Sequence, residues 1–190
     1  MPPKPAKPKK QGKKAPGLDL KTGLYRLTGV DLATIDGIQS HTALKVLSET
    51  GTGMGRWQSA KQICSWLGLT PGCKISGGKR PGGKTKRTAN RAAAALRMAV
   101  QSLSNSQSAS GAFYRKKRHH LGAAKATTAT AHKLARIIYA MPGKGTAYEG
   151  LGEHAYGEQY QQRVRRNLRH KAKKMGLILV YAETGEAVTD

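Results

Sequence analysis

Residues 123–143 read AAKATTATAHKLARIIYAMPG, the segment with the clearest helical pattern in the chain. Its large apolar side chains recur at i, i+3, i+4 and i+7, the spacing of one helix face: Leu134, Ile137, Ile138 and Met141. The Pro142–Gly143 pair predicts that the helix ends after Met141. We therefore expect a core helix over residues 123–141. We interpret His132 within it as structural, because no partner pattern surrounds it.

Two shorter helices are predicted before this core helix from their capping residues. Ser59 is the predicted N-cap of a helix within residues 57–69, and Asn90 that of an alanine-rich helix that runs to about Leu103. Residues 104–111 are small or polar and predict a loop. These patterns indicate that several helices pack around the core helix.

Residues 35–51 resemble a helix-hairpin-helix motif. In that motif a glycine turn directs backbone N–H groups towards a phosphate, at the positive end of the second helix. Gly37 occupies the turn, and Gln39 stands where a second glycine is usual. Both are predicted to bind nucleic acid, and a plain helical turn without a ligand is the alternative.

The two ends of the chain are strongly basic. Residues 1–17 are rich in proline and lysine and predict a disordered tail. Basic helical segments are predicted at 112–120 and 158–174, and one short strand at 177–181. The predicted fold class is mainly α: a compact helical domain over residues 18–148, with a helix-hairpin-helix-like element, followed by a basic helical extension and tail over 149–190.

The overall charge indicates the class of partner. The chain has 34 Lys and Arg against 10 Asp and Glu, a net charge of +24. Such an excess favours nucleic acid. An anionic membrane is the alternative, but no apolar run approaches the roughly 20 residues that span a bilayer. We expect a cytoplasmic, nucleoid-associated protein that binds DNA and no membrane.

Acidic residues are absent from a long central span. No Asp or Glu lies between Glu49 and Glu149, although this span holds eighteen Lys and Arg. A magnesium site needs carboxylate ligands, so we expect no metal ion or other cofactor in this chain. Cys64 and Cys73 lack the second pair of a zinc site, and we interpret them as reduced thiols.

Residues 74–87, KISGGKRPGGKTKR, form a glycine-rich cationic segment with a single serine, Ser76. Its basic side chains repel one another unless an anion lies between them, which predicts contact with a polyanion. The cations predicted to bind nucleic acid here and in the following helices are Lys74, Lys79, Arg80, Lys84, Lys86, Arg87, Arg91, Arg115, Lys116 and Lys117. Phe113 and Tyr114 are candidates for base stacking or for core anchors.

The same segment permits two other interpretations. Residues 78–85 match G-x-x-x-x-G-K-[ST], the phosphate-binding loop of NTPases. Residues 69–75, which precede it, lack the apolar run of a buried strand, and no acidic residue that could hold magnesium follows until Glu149. This interpretation is therefore disfavoured. Ser76 as a nucleophile lacks an evident base, and from the residues alone a phosphate contact is the more common role.

Residues 27–148 resemble the carboxy-terminal transposase domain of the IS116/IS110/IS902 insertion-sequence family. The motifs that carry the resemblance occur in the family's order. They are the turn at 35–38 with Thr42 and Ala43, then SAKQ at 59–62, WLGLTP at 66–71, SGGK at 76–79, KRTANR at 86–91, Phe113 with Tyr114, and KLARIIY at 133–139. The span of residues 27–148 that contains them is about two-thirds of the chain.

The resemblance implies a specific chemistry. The serine of the SGGK-like segment is the family's nucleophile, which implies that Ser76 joins covalently to DNA. It also implies a guide RNA, assembly of several protomers, and Mg²⁺ held by a RuvC-like domain with four acidic ligands. Residues 1–27 cannot form that domain, so we expect it to be missing or supplied in trans. A non-catalytic nucleic-acid-binding protein derived from such a transposase is the alternative.

Overall fold

The computed structural model describes residues 19–72, 85, 88–182 and 184–187. Within these residues the chain forms seven α-helices and two short 3₁₀ turns, Leu32–Thr34 and Met54–Arg56. The helices are α1 (Leu20–Thr28), α2 (Ser40–Thr50), α3 (Ala60–Trp66), α4 (Arg91–Ser102), α5 (Ala109–Leu121), α6 (Ala123–Lys144) and α7 (Glu153–Lys174). The predicted mainly α fold is confirmed. The predicted tail at 1–17 lies outside the described residues.

Helix α6 is the centre of the fold, as its apolar face predicts. Helices α3, α4 and α5 all pack against it, while α2 packs on α4 and α1 on α2. Leu134, Ile138 and Met141 are buried, and Ile137 packs against the same core. Their burial supplies much of the stability of the bundle, since each large apolar side chain contributes about 1.5–3 kcal/mol.

Four helices begin at side chains that accept hydrogen bonds from free backbone N–H groups: Asp19 before α1, Ser59 before α3, Asn90 before α4 and Ser108 before α5. The caps at Ser59 and Asn90 confirm the predicted starts of α3 and α4. Helix α1 was not predicted, although the Asp19 cap and the left-handed Gly29 at its end (φ 72°) are a typical pair of boundary signals.

Three predicted boundaries were wrong. Helix α6 continues through Pro142 to Lys144, and the proline is accommodated in the last turn. Helix α5 starts at Ala109, inside the predicted loop, because Ser108 caps it. Helix α7 starts at Glu153 rather than near residue 158. The backbone N–H of Glu153 donates to the carbonyl of Gln107, a contact between distant parts of the chain that no local pattern reveals.

The predicted strand at 177–181 was also wrong. In the described part of the chain, Val180 forms only an isolated antiparallel bridge with Ala187. Leu177 and Ile178 are exposed, and the described residues contain no sheet that the segment could join. A single strand without a neighbouring strand leaves its backbone groups to water.

Of the two thiols predicted to be reduced, only that of Cys64 lies within the described residues. Cys64 is fully buried in α3, and burial raises the pKa of its thiol to about 11. Cys73 lies outside the described residues. Trp57 is buried in the core, whereas Trp66 remains partly exposed, with their ring centroids 5.2 Å apart.

Candidate nucleic-acid interface

The cationic segment itself is beyond the part of the chain that the structure describes. Ser76 and six of the cations predicted to bind nucleic acid lie outside the described residues: Lys74, Lys79, Arg80, Lys84, Lys86 and Arg87. Their roles stay predictions. The residues that flank them show from which end of the bundle the segment departs.

Both ends of this segment are attached at the start of α4. Pro71 and Thr85 form an isolated antiparallel bridge, and the Thr88 hydroxyl donates to the carbonyl of Leu67 at 3.2 Å. Arg91 begins α4 with its side chain 89% exposed and its Nε 3.9 Å from a Glu49 carboxylate oxygen. A surface ion pair of this length contributes little, so the Arg91 guanidinium remains open to other anions.

The turn that contains Gly37 and Gln39 lies at the opposite end of α4. Gly37 has φ +78°, and a Cβ there would meet the Leu103 side chain at 2.9 Å, so only glycine fits without strain. Helix α4 has 12 residues and is therefore roughly 18 Å long. The structure thus separates this turn from Arg91 by about the length of that helix.

The helix-hairpin-helix interpretation of this turn is not established by the geometry. The element before it is a three-residue 3₁₀ turn, Leu32–Thr34, rather than a first helix. Gln39 is the N-cap of α2 but its side chain makes no capping hydrogen bond. Phosphate binding by Gly37 and Gln39 stays a prediction.

The basic residues of α5 differ in how far they are engaged by the protein. Arg115 donates to the carbonyls of Ser104 and Ser106 and pairs with Glu153 at 2.6 Å, so it joins α5 to the start of α7. Lys116 lies over the ring of Tyr160. Lys117 is farther from its nearest ring, 5.7 Å from the centroid of Phe113. Nucleic-acid binding by Arg115, Lys116 and Lys117 stays a prediction.

The aromatic pair at the start of α5 divides between the core and the surface. Tyr114 is buried among the core residues. Phe113 instead lines a cleft of about 450 Å³ between α5, α6 and α7. Its ring meets that of Tyr156 edge to face, with the centroids 6.5 Å apart and the planes at 82°. Phe113 is thus the member of the pair that remains available to a ligand.

Lys133 of α6 lies beside both rings. Its Nζ is 4.9 Å from the centroid of Phe113 and 5.3 Å from that of Tyr156. Burial lowers the pKa of Lys133, and the attraction of the Asp36 carboxylate opposes that shift. An ammonium group held against two aromatic faces is stabilised by their quadrupoles but retains its net charge.

Other cationic and aromatic side chains line the same cleft. They include His132, Arg136, Tyr148 and Arg163. The Tyr148 hydroxyl donates to Asp36 at 2.8 Å, and burial together with that carboxylate raises the pKa of Tyr148 to about 12. His132 was interpreted as structural, yet it lines the cleft. Its pKa is lowered by burial and by the neighbouring Arg136.

Comparison with known protein families assigns the central part of this structure. Residues 31–115 match the family model described as Transposase IS116/IS110/IS902 family. These residues are thus similar to the transposase domain of this family. The comparison found no match among curated proteins and none among solved structures.

The matched transposase domain begins at the Leu32–Thr34 turn and extends through α2, α3 and α4 into α5. It includes Ser76 and Arg91, and it ends at Arg115. This similarity connects the matched residues with DNA transposition and with DNA as a partner. Helices α6 and α7 follow the matched residues, and the cleft is therefore built partly from outside them.

Among the described residues, none of the helices is both long enough and apolar enough to cross a membrane. No group of three His, Cys, Asp or Glu side chains among these residues is arranged to hold a metal ion.

The cleft residues Lys133, Arg136, Tyr156 and Arg163 were not predicted as site residues. Their only sequence signal is spacing. Lys133 and Arg136 are three residues apart on α6, and Tyr156 and Arg163 are seven apart on α7, so each pair shares a helix face. That signal does not reveal that the two faces meet.

Proposed function

We propose that Ser76 is the nucleophile of a DNA transposition reaction carried out by this domain. The observation that supports the proposal is the match of residues 31–115 to the transposase family, because that span contains Ser76 within its cationic segment. Lys79, Arg80 and Arg87 would stabilise the negative charge that develops on the attacked phosphate.

The reaction is a phosphoryl transfer to serine. The Ser76 hydroxyl loses its proton as its oxygen bonds to phosphorus. The bond from phosphorus to a deoxyribose oxygen breaks, and that oxygen takes up a proton. No acidic residue lies between Glu49 and Glu149 to hold Mg²⁺ beside Ser76. We therefore assign the metal-binding carboxylates to a RuvC-like domain, whether in the same protein or in a partner.

A guide RNA and assembly of several protomers belong to the same proposal. The resemblance to the family implies both, and the basic residues of α5 and α7 supply positive charge suited to RNA as well as to DNA. RNA that copurifies with the protein and is released by ribonuclease would support this part. A stable monomer free of RNA that still forms the DNA adduct would contradict it.

A covalent-adduct assay tests the nucleophile. The protein is mixed with labelled nicked duplex DNA, Mg²⁺ and a RuvC-like partner domain, and the adduct is detected after denaturation. We expect an adduct with the wild type and with Ser65→Ala, a matched change at an exposed serine of α3. Ser76→Ala should form none. An adduct that persists in Ser76→Ala would disprove the assignment.

A non-catalytic nucleic-acid-binding role is the second candidate, favoured by the carboxylate-free span and the net charge of +24. It predicts that affinity falls linearly with the logarithm of salt concentration and that Ser76→Ala changes nothing. An adduct at Ser76 would exclude it.

A further inference from the structure

The cleft between α5, α6 and α7 has the size and lining of a ligand site. Its volume of about 450 Å³ lies within the roughly 300–1,000 Å³ typical of small-ligand pockets. Aromatic rings from two different helices, Phe113 of α5 and Tyr156 of α7, meet in it. Two rings held at 82° offer an apolar corner into which a planar group can enter.

Among the described residues the cations of the cleft form no ion pair, although the Glu149 side chain also lines the cleft. Neither Lys133, Arg136 nor Arg163 makes an ion pair with a described carboxylate. Within the described residues, Asp36 attracts Lys133 only at longer range, and it already accepts the hydrogen bond of Tyr148. Lys133 is partly buried, whereas Arg136 and Arg163 are exposed. An anionic ligand would offset the lost hydration of Lys133 and would be attracted by the charge of both arginines.

The combination of an aromatic corner and unpaired cations matches a nucleotide. A base stacks on aromatic faces, while its phosphate binds lysine and arginine. A base paired inside a duplex cannot enter a cleft of this size, so the ligand must be unpaired. Beyond Arg163, helix α7 continues with Arg165, Arg166 and Lys171, along which the adjoining phosphates of a strand can lie.

We propose that this cleft binds one unpaired nucleotide of a single-stranded nucleic acid. The base packs against Phe113 and Tyr156, and the phosphate lies among Lys133, Arg136 and Arg163. The proposal rests on the proposed function only in that the chain binds nucleic acid. It assigns single-strand recognition to Phe113, near the end of the matched residues, together with residues of α6 and α7 that follow them.

The first test needs no variant of the protein. Binding of a short labelled oligothymidylate is compared with that of the same backbone built from abasic units, at one salt concentration. Because base stacking on aromatic side chains is the expected difference, the abasic strand should bind about tenfold more weakly. Equal affinity for the two strands would overturn the proposal.

Substitutions on α7 test whether the difference in strand affinity arises in the cleft. Arg163→Gln and Arg165→Gln remove the same charge from the same helix, but only Arg163 lines the cleft. We expect Arg163→Gln to weaken single-strand binding about tenfold more than Arg165→Gln, with equal effects on a duplex of the same length. Tyr156→Leu should abolish the difference between normal and abasic strands, with helicity checked by circular dichroism.

The outcomes separate this proposal from the proposed function. If Arg163→Gln behaves like Arg165→Gln while wild-type protein binds both strand types, the cleft proposal fails and the Ser76 proposal stands. If the wild type binds neither single strands nor duplex, both fail. A Ser76→Ala protein that forms an adduct but retains the abasic discrimination would contradict only the proposed nucleophile.

Discussion

Helix α4 packs on α6 through buried apolar side chains, whereas α7 packs on α5 through aromatic and charged side chains. Helix α4 packs on α6 and on α2, and its buried residues are small or aliphatic, among them Ala92, Leu96 and Val100. Helix α7 has no buried residue at all. It is held to α5 by ring contacts, a lysine over a tyrosine ring, and the Arg115–Glu153 ion pair. The first contact excludes water, and the second leaves charge exposed.

The two kinds of packing indicate that different helices serve stability and ligand binding. Apolar burial accounts for most folding free energy, whereas exposed ion pairs and cation–π contacts contribute about 1 kcal/mol or less each. We infer that α4 and α6 form the scaffold and that α7 is a weakly attached surface helix whose cations serve a ligand. Four predictions, in order of expected effect, test or refine this division.

Leu134→Ala should have the largest effect. The Leu134 side chain is fully buried in α6, and its truncation leaves a cavity, so we expect the free energy of unfolding to fall by about 2–5 kcal/mol. Leu168→Ala, on α7 where the leucine is 48% exposed, should cost less than about 1 kcal/mol. Urea unfolding measures both. Equal losses would mean that α7 belongs to the scaffold.

The second prediction compares the effect of a glycine-to-alanine change in α5 with that of the same change in α7. A Cβ at Gly111 of α5 would collide with the carbonyl of Ser106 and lie 2.9 Å from that of Leu103. Gly111→Ala should therefore destabilise the protein by about 1–3 kcal/mol. A Cβ at Gly157 of α7 meets nothing within 4 Å, so Gly157→Ala should stabilise it by about 0.5–1 kcal/mol.

Thermal unfolding of the two glycine variants gives the measurement, because their shifts in melting temperature should have opposite signs. Destabilisation by Gly157→Ala would show that α7 makes closer contacts than its exposure indicates. An unchanged Gly111→Ala protein would show that the turn at residues 104–108 yields readily to α5.

The scaffold was predictable from sequence because its signals are local. The apolar spacing of α6 and the caps at Ser59 and Asn90 lie within one or two helical turns of the elements they define. The start of α7 was not predictable. Gly157 argues against a helix there, and the contact of Glu153 with Gln107 joins residues far apart in sequence.

The candidate site likewise has parts that the sequence predicted and a part that it did not. The charge excess and the motif order were sufficient to indicate the transposase family, and Arg91 and Gly37 lie in elements close to those predicted. The cleft was missed because its corner is formed by Phe113 and Tyr156, which are 43 positions apart in the printed sequence. Sequence spacing places a residue on a helix face but does not say which helix that face meets.

Asn90→Ala tests the attachment of the cationic segment to the scaffold. The Asn90 side chain accepts a hydrogen bond from the backbone N–H of Ala93 at 3.0 Å, at the start of α4. Its loss should lower the free energy of unfolding by about 1 kcal/mol, and Asn90→Ser should restore most of it. If both variants unfold like the wild type in urea, the start of α4 is held by its packing rather than by its cap.

The smallest expected effect is a pH dependence from the cleft. Burial and Arg136 lower the pKa of His132 in the folded protein, whereas in the unfolded chain it titrates near its ordinary value of about 6.5. As pH falls below that value, the unfolded chain binds a proton that the folded protein resists, so stability falls. It levels off once the pH is below the folded pKa.

Unfolding in urea between pH 8 and pH 5 measures this slope, and His132→Gln should reduce it. Because the cleft cations disfavour a further charge, a bound oligothymidylate should offset part of the loss by raising the pKa of His132. Equal slopes in the wild type and His132→Gln would place His132 outside the electrostatic environment of the cleft. They would also weaken the distinction between the buried, apolar packing of α4 on α6 and the exposed, charged packing of α7 on α5.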